Sequence, residues 1–312
     1  MKKAGIIGGS GFIGSHVTKR FLEENYKVKV SATDITKEEK YRHLKKLANA
    51  SNLEIKSLDT ADIEALKAFI EDCEIVVHCG TPFQLDVQDP QKELFDPTVK
   101  GTENFLQVVS ESPMVKKVVF VASVAAYNTA FPMGADGRDP EHIYTEMETP
   151  FIDETNHPYA QAKYYADQAV RKFISDNPNP GFEVLSVYPV FVAGAALSNR
   201  QDSTSVGLQY LIKNKIAPNP FVEMLYEHNV EFALVDVRDV AEGIYKAATL
   251  AGNHGKNYYL TSESYKISDM NRMLNNKEPE NAPRVVYSNQ SAREELGVEF
   301  IPARFTLNQP VS

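Results

Sequence analysis

Between Ile7 and Phe12 the chain carries glycines at 8, 9 and 11, and a fourth follows at 14. A short apolar run, Ala4-Gly5-Ile6-Ile7, leads in, and an amphipathic stretch over 12–25 leads out. Strand, tight turn and helix in that order form the setting in which a glycine motif cradles phosphate. Gly8 permits the turn, Gly11 lets backbone approach a pyrophosphate, and Gly14 lets the helix pack on its strand. The helix N-terminus adds unpaired N–H groups and partial positive charge. Gly8, Ser10, Gly11, Phe12, Ile13 and Gly14 are therefore candidate dinucleotide-binding residues. The spacing is G-x-x-G-x-x-G with Gly9 extra, not the commoner G-x-G-x-x-G.

Strand and helix patterns keep alternating beyond the turn. Residues 26–32, 53–58, 75–79, 117–122 and 183–188 read as strands, and 63–71, 98–112, 159–175, 205–214 and 240–251 as helices. The runs at 75–79 and 117–122 are nearly all apolar, as in parallel strands buried on both faces. Repeated crossovers imply a doubly wound parallel sheet, an α/β fold. Residues 83–97 read as an irregular loop, Ala217-Pro218-Asn219-Pro220 as a break, and 306–312 as a loosely ordered end.

Ligands of open α/β sheets lie at the carboxyl ends of the strands. Asp34, Asp59 and the stretch Gly80-Thr81-Pro82 stand there. Asp34 follows the glycine turn by about 20 residues, the distance of an acidic acceptor for ribose hydroxyls; capping of a helix from Ile35 is the alternative. Lys37 and Lys40 are close enough to meet a 2′-phosphate, so NAD and NADP both stay open. His78 reads as a core histidine and Cys79 as a core residue.

Ser123 ends the fifth strand, and Tyr159 and Lys163 stand four apart on one helix face. A phenol titrates near 10, too high for easy proton exchange at neutral pH. A nearby ammonium favours the phenolate and is expected to lower that value. A strand-end serine hydroxyl suits a substrate oxygen.

Net charge −9 and pI near 5.4, without a basic stripe, argue against nucleic-acid binding. Cys73 and Cys79 suggest neither a disulfide framework nor a zinc site, and no metal site is expected. Glycines interrupt the apolar start, so a signal peptide is not expected, nor is a membrane span; a cytoplasmic enzyme is the default.

With these residues in view, the chain resembles an extended short-chain dehydrogenase/reductase. The glycine turn, Ser123 and Tyr159-Ala160-Gln161-Ala162-Lys163 match that family's cofactor turn and catalytic triad, and Val99-Lys100-Gly101-Thr102-Glu103-Asn104 and Val235-Asp236-Val237-Arg238-Asp239-Val240-Ala241 agree. His78-Cys79-Gly80-Thr81-Pro82-Phe83 is similar to the dihydroflavonol-reductase-like carbonyl reductases. The resemblance implies a Rossmann-type domain over 1–190, with the 128–157 loop reaching the substrate. It also implies a small C-terminal substrate lobe over 191–312, from which 231–252 return to the body. It implies an NAD(P)-dependent oxidoreductase acting on a small carbonyl or alcohol. Tyr159 is then the proton donor, Lys163 holds the nicotinamide ribose, Ser123 orients the carbonyl, and Pro189 lies beside the nicotinamide. A homodimer through 98–112 and 159–175 is implied too. Thr33 stands where the plant reductases carry an Arg that helps hold the 2′-phosphate. Val124 and Ala125 replace the acidic pair of dehydratases. A nucleotide-sugar epimerase and a non-catalytic dinucleotide sensor are the alternative readings. Phe131, Tyr144 and Phe151 read mainly as loop anchors.

Overall fold

A computed structural model describes residues 1–79, 88–135, 137–199 and 203–309. The expectations for Gly80, Thr81 and Pro82 fall outside the described residues.

From β1 (Lys3–Ile7) the glycine turn leads into α1 (Phe12–Glu23), which returns to β2 (Lys27–Ala32). Three short 3-10 turns precede β3 (Leu53–Ser57), and α2 (Ile63–Ile70) joins it to β4 (Ile75–His78). The chain then passes through α3 (Gly101–Glu111), β5 (Lys117–Val121), α4 (Pro158–Asp176) and β6 (Glu183–Pro189). Beyond it lie β7 (Phe191–Ala193), α5 (Thr204–Asn214), α6 (Pro220–Glu227), β8 (Glu231–Asp236), α7 (Val237–Thr249) and β9 (Asn257–Leu260). β10 (Glu263–Lys266), α8 (Ile267–Leu274), α9 (Gln290–Leu296) and α10 (Ala303–Leu307) end the described chain.

Seven strands form one parallel sheet in the order β3-β2-β1-β4-β5-β6-β9. Alternation along the strands sorts side chains between two cores. Val76, Val118, Phe120 and Val184 pack under α2, α3 and α4 with Phe69, Phe105 and Val170. Ile6, Val30, Val77, Val119 and Val187 face α1 and α7 with Val17, Phe21 and Ile244. Each such side chain, fully buried, contributes about 1.5–3 kcal/mol. A second sheet, β10-β8-β7, carries its own core with Phe191, Leu208, Val222, Phe232 and Met270.

Three expectations are corrected. Part of the expected 83–97 loop is helical: a wide π-helical segment, Gln91–Lys100, runs straight into α3 and buries Leu94 and Thr98. Pro97 lies inside it and lacks the N–H that an α-ladder requires, which the wider winding accommodates. The break at Pro218–Pro220 is the start of α6: Asn219 accepts from Val222 N at 3.0 Å and Pro220 sits at the first turn. Of the expected loose end, the first residues are anchored, since Leu307 is buried and the Thr306 hydroxyl donates to Asp236 at 3.0 Å, while 310–312 lie outside the described residues.

Strand order reverses beside β1, and the glycine turn stands there. Gly8 has φ +75° and donates its N–H to Ser31 Oγ at 2.8 Å. A Cβ on Gly14 would lie 2.1 Å from the Gly8 carbonyl oxygen, so α1 starts as close to the turn as backbone allows. Gly14→Ala is expected to cost about 2–3 kcal/mol, because backbone and not a side chain must move; denaturant unfolding checks it, and unchanged stability would contradict the close approach.

Candidate active site

The glycine turn is one wall of a crevice of about 220 Å3, lined by Gly8, Ser10, Gly11, Phe12, Ile13, Gly14 and Ser15. The opposite wall is Ala196–Ser198 and the first residues of α5, Thr204 and Ser205. Ser203 caps that helix, its side chain accepting from Val206 N at 3.4 Å. Two helix N-termini therefore face one space, an arrangement that favours anions. The sequence pattern places a helix over 205–214 but not its start against this crevice; the capping serine ahead of it is the one local signal.

Cys79, Ile13 and Ser205 also line an adjoining cavity of about 150 Å3. Ser123, Tyr159 and Lys163 converge on it, and so does Pro189 at the end of β6. Local structure positions each of them. Ser123 leaves β5 extended and caps a 3-10 turn, accepting from Ala125 N at 3.2 Å. Pro158 opens α4, and His157 caps it by accepting from Tyr159 N at 3.1 Å. Lys163 sits one turn on, with Nζ 5.8 Å from the centre of the Tyr159 ring.

α4 is held by a buried polar group one turn further. Asp167 accepts from the Tyr188 hydroxyl at 2.6 Å and from Arg171 Nε at 2.6 Å. Burial raises the Asp167 carboxyl despite the guanidinium beside it.

Electrostatics corrects the expectation for the tyrosine. Burial pushes the Tyr159 phenol up from its ordinary value, and its hydrogen bond with Ser123 offsets this only in part. Burial pushes Lys163 down to about 8. Burial therefore governs both groups: it keeps the phenol protonated and brings the lysine down toward neutrality.

The remaining candidates stand further out. Asp34 does not cap a helix: its carboxylate accepts from Thr36 N at 2.9 Å and Thr36 Oγ1 at 2.6 Å, a local turn, with Lys37 at 3.7 Å. Lys40 ends the short 3-10 turn Glu38–Lys40 that follows. Asp59 is exposed just past β3 and accepts from Ala61 N at 2.9 Å. Cys79 is half-buried at the junction of the two spaces, not sealed in the core. His78 is buried, as expected. Phe131 lines the cavity while packing on Phe232 and Tyr287, whereas Tyr144 stacks on Tyr287 as an anchor. Among the described residues no cluster of metal-ligating side chains occurs.

A family model described as "NAD dependent epimerase/dehydratase family" matches residues 4–260. The chain belongs to that family. Several of the proteins it resembles are reductases. A cinnamoyl-CoA reductase of Medicago truncatula is 28% identical over 323 aligned residues, 98% of this chain and 93% of its own. An anthocyanidin reductase of Arabidopsis thaliana is 29% identical over 227 residues, 72% of this chain and 65% of its own. Among solved structures, Gre2 of Candida albicans in complex with NADPH superposes with TM-score 0.82 at 25% identity, covering 100% of this chain and 98% of that one. Yeast methylglyoxal/isovaleraldehyde reductase Gre2, complexed with NADPH, shares the fold with TM-score 0.80 at 22% identity over 98% and 96% of the two chains.

Burying the Lys163 charge has a stability consequence. Below pH 8 the lysine is protonated folded and unfolded, and burial penalises the folded state. Between about 8 and the free value of 10.5 the folded chain sheds a proton that the unfolded chain keeps, so stability rises with pH. Lys163→Met is therefore expected to stabilise the cofactor-free protein at pH 7 by up to about 3 kcal/mol, a Tm rise of several degrees, and to flatten the rise above pH 8. Thermal unfolding at pH 7 and 10 tests this; a lower Tm for the variant at pH 7 would refute it.

Proposed function

We propose that this NAD(P)-dependent oxidoreductase reduces a small, uncharged aldehyde or ketone with an apolar substituent to the alcohol. The observation that carries the reading is the cavity: Ser123, Tyr159 and Lys163 on one side, and Phe131, Phe191, Leu208, Phe221 and Phe232 on the other. Among the described lining residues Lys163 is the one Lys or Arg, and there is no Asp or Glu. Such a wall suits an apolar group and offers little to the hydroxyls and diphosphate of a nucleotide sugar.

A dinucleotide fits the residues present. Glycine at 14 lets α1 start against the Gly8 carbonyl, and the crevice lined by that turn is faced by two helix termini. When bound, the nicotinamide supplies hydride to the carbonyl carbon. Ser123 hydrogen-bonds the carbonyl oxygen, and Tyr159 donates its proton to that oxygen as it becomes an alkoxide. A phenol whose value is raised by burial stays protonated until that charge develops. The Lys163 ammonium then offsets the phenolate left behind.

Residues 1–190 with 231–252 form the cofactor side in this reading, and the rest of 191–312 the substrate lobe, which supplies Phe191, Leu208 and Phe221 to the wall. NADPH is the favoured cofactor. The Asp34 carboxylate already serves Thr36 and Lys37, which weakens it as a ribose acceptor, and the two Gre2 structures hold NADPH. The assembly we favour is a homodimer packed through 98–112 and 159–175, where Tyr165 is 38% exposed and 6.2 Å from Phe95. A cytoplasmic setting suits two free thiols, and the acidic charge gives nucleic acid no footing. No helix among the described residues is long and apolar enough to cross a membrane.

Tyr159→Phe is expected to lower kcat for carbonyl reduction by roughly 10²–10⁴-fold while calorimetry shows cofactor affinity unchanged; full activity in the variant would overturn the mechanism. Calorimetric titration is also expected to show tighter binding of NADPH than NADH, and Lys40→Ala to weaken NADPH roughly tenfold with NADH unaffected. Equal loss for both cofactors would remove Lys40 from 2′-phosphate recognition.

A further inference from the structure

His78 is 3% exposed at the end of β4, in the middle of the sheet. Register places it beside Phe120 on β5, and Phe120 beside Ser186 on β6, so the three form a row beneath α3 and α4. Its ring packs on Phe105 at 5.0 Å and Phe120 at 5.5 Å. A phenylalanine or leucine would serve that packing as well, without a buried polar atom. Nε2 of His78 meets no hydrogen-bond partner among the described residues.

The same ring lines an internal cavity of about 20 Å3. Thr98, Thr102, Lys163, Asp167 and Ser186 supply its polar walls. That volume holds one water, which needs about 10–15 Å3 and two to four polar partners. An orphaned nitrogen, a space of one water's size and a buried lysine thus meet behind the site.

We propose that one buried water joins His78 Nε2 to Lys163, making His78 a positioning residue that keeps the lysine ammonium hydrated from behind. The inference rests on the role given to Lys163 above. Neutral imidazole suits this position. Burial pushes His78 down to about 4, so it adds no charge beside the ammonium, and either tautomer lets Nε2 meet a water as acceptor or donor. The other titratable group lining this space is Asp167, held by Arg171 and Tyr188; Cys79 does not line it but acts on Lys163 from the neighbouring cavity. α3 and its π-helical lead-in contribute hydroxyls alone, with Thr102 Oγ1 already donating to Thr98 O at 2.7 Å. β5 contributes apolar side chains and β6 a serine.

The experiment is a 13Cε-lysine NMR titration of the full chain, with the Lys163 signal assigned by its loss in Lys163→Arg. His78→Phe removes the polar atom, so the Lys163 midpoint is expected to fall by about one unit, a tenfold change in its protonation constant. His78→Gln keeps a polar end at the cavity and is expected to restore most of it. A folded His78→Phe with an unmoved Lys163 midpoint overturns the inference. If His78→Phe does not fold, the density of the unmodified protein decides: a water within hydrogen-bond distance of His78 Nε2 supports the proposal, and a dry cavity refutes it. The readout needs no substrate. A shifted midpoint would stand even if Tyr159→Phe kept full activity, and an unmoved one would leave carbonyl reduction intact.

Discussion

β1 and β4 lie side by side in the sheet, yet the chains leaving them serve opposite faces. α1 packs with α7 on one side, while α3 and α4 cover the other. Their carboxyl ends therefore cannot both be covered, and the crevice between them is where ligand atoms reach backbone. The glycine turn, Cys79, Ser123 and the start of α4 all border it, although they lie far apart in sequence. The order of the strands creates the site before any catalytic side chain is placed.

What the sheet leaves to side chains is the fixing of α4. That helix carries Tyr159 and Lys163 on one face, and at the next turn Asp167 ties it to Tyr188 on β6. Arg171 pairs with Asp167 and lies 4.7 Å from the centre of the Tyr127 ring, while Asn257 on β9 bonds both Tyr188 and Tyr127. A shift of α4 along the sheet would break several of these buried bonds together, so the tyrosine and lysine are held by a network and not by their own contacts alone.

The sequence was most legible where spacing and chemistry are local. Four glycines around a strand–helix junction, an apolar run over 117–121 and a tyrosine four residues before a lysine all stand where the pattern puts them. Legibility failed where meaning depends on distant partners. Residues up to Pro97 read as an irregular loop, yet Leu94 has core to bury against and the segment winds into a helix. Thr306 reads as a tail residue, yet it meets a fully buried Asp236 seventy positions earlier. The net state of Tyr159 is not legible in the motif, because spacing gives proximity but not desolvation, which here governs both groups. At Asp34 the sequence left ribose acceptor and helix cap open; the cap is absent, and the carboxylate instead closes a two-residue turn to Thr36, a contact that spacing from the glycine turn does not reveal.

α5 borders both spaces. Ser205, near its capped end, stands in the wall common to the crevice and the cavity, and Leu208, nearly one turn later, lines only the cavity. A helix moves as a rod over such a distance. Ser205 and Leu208 therefore keep one fixed spacing, and the crevice and the apolar cavity share a single rigid element as part of their walls.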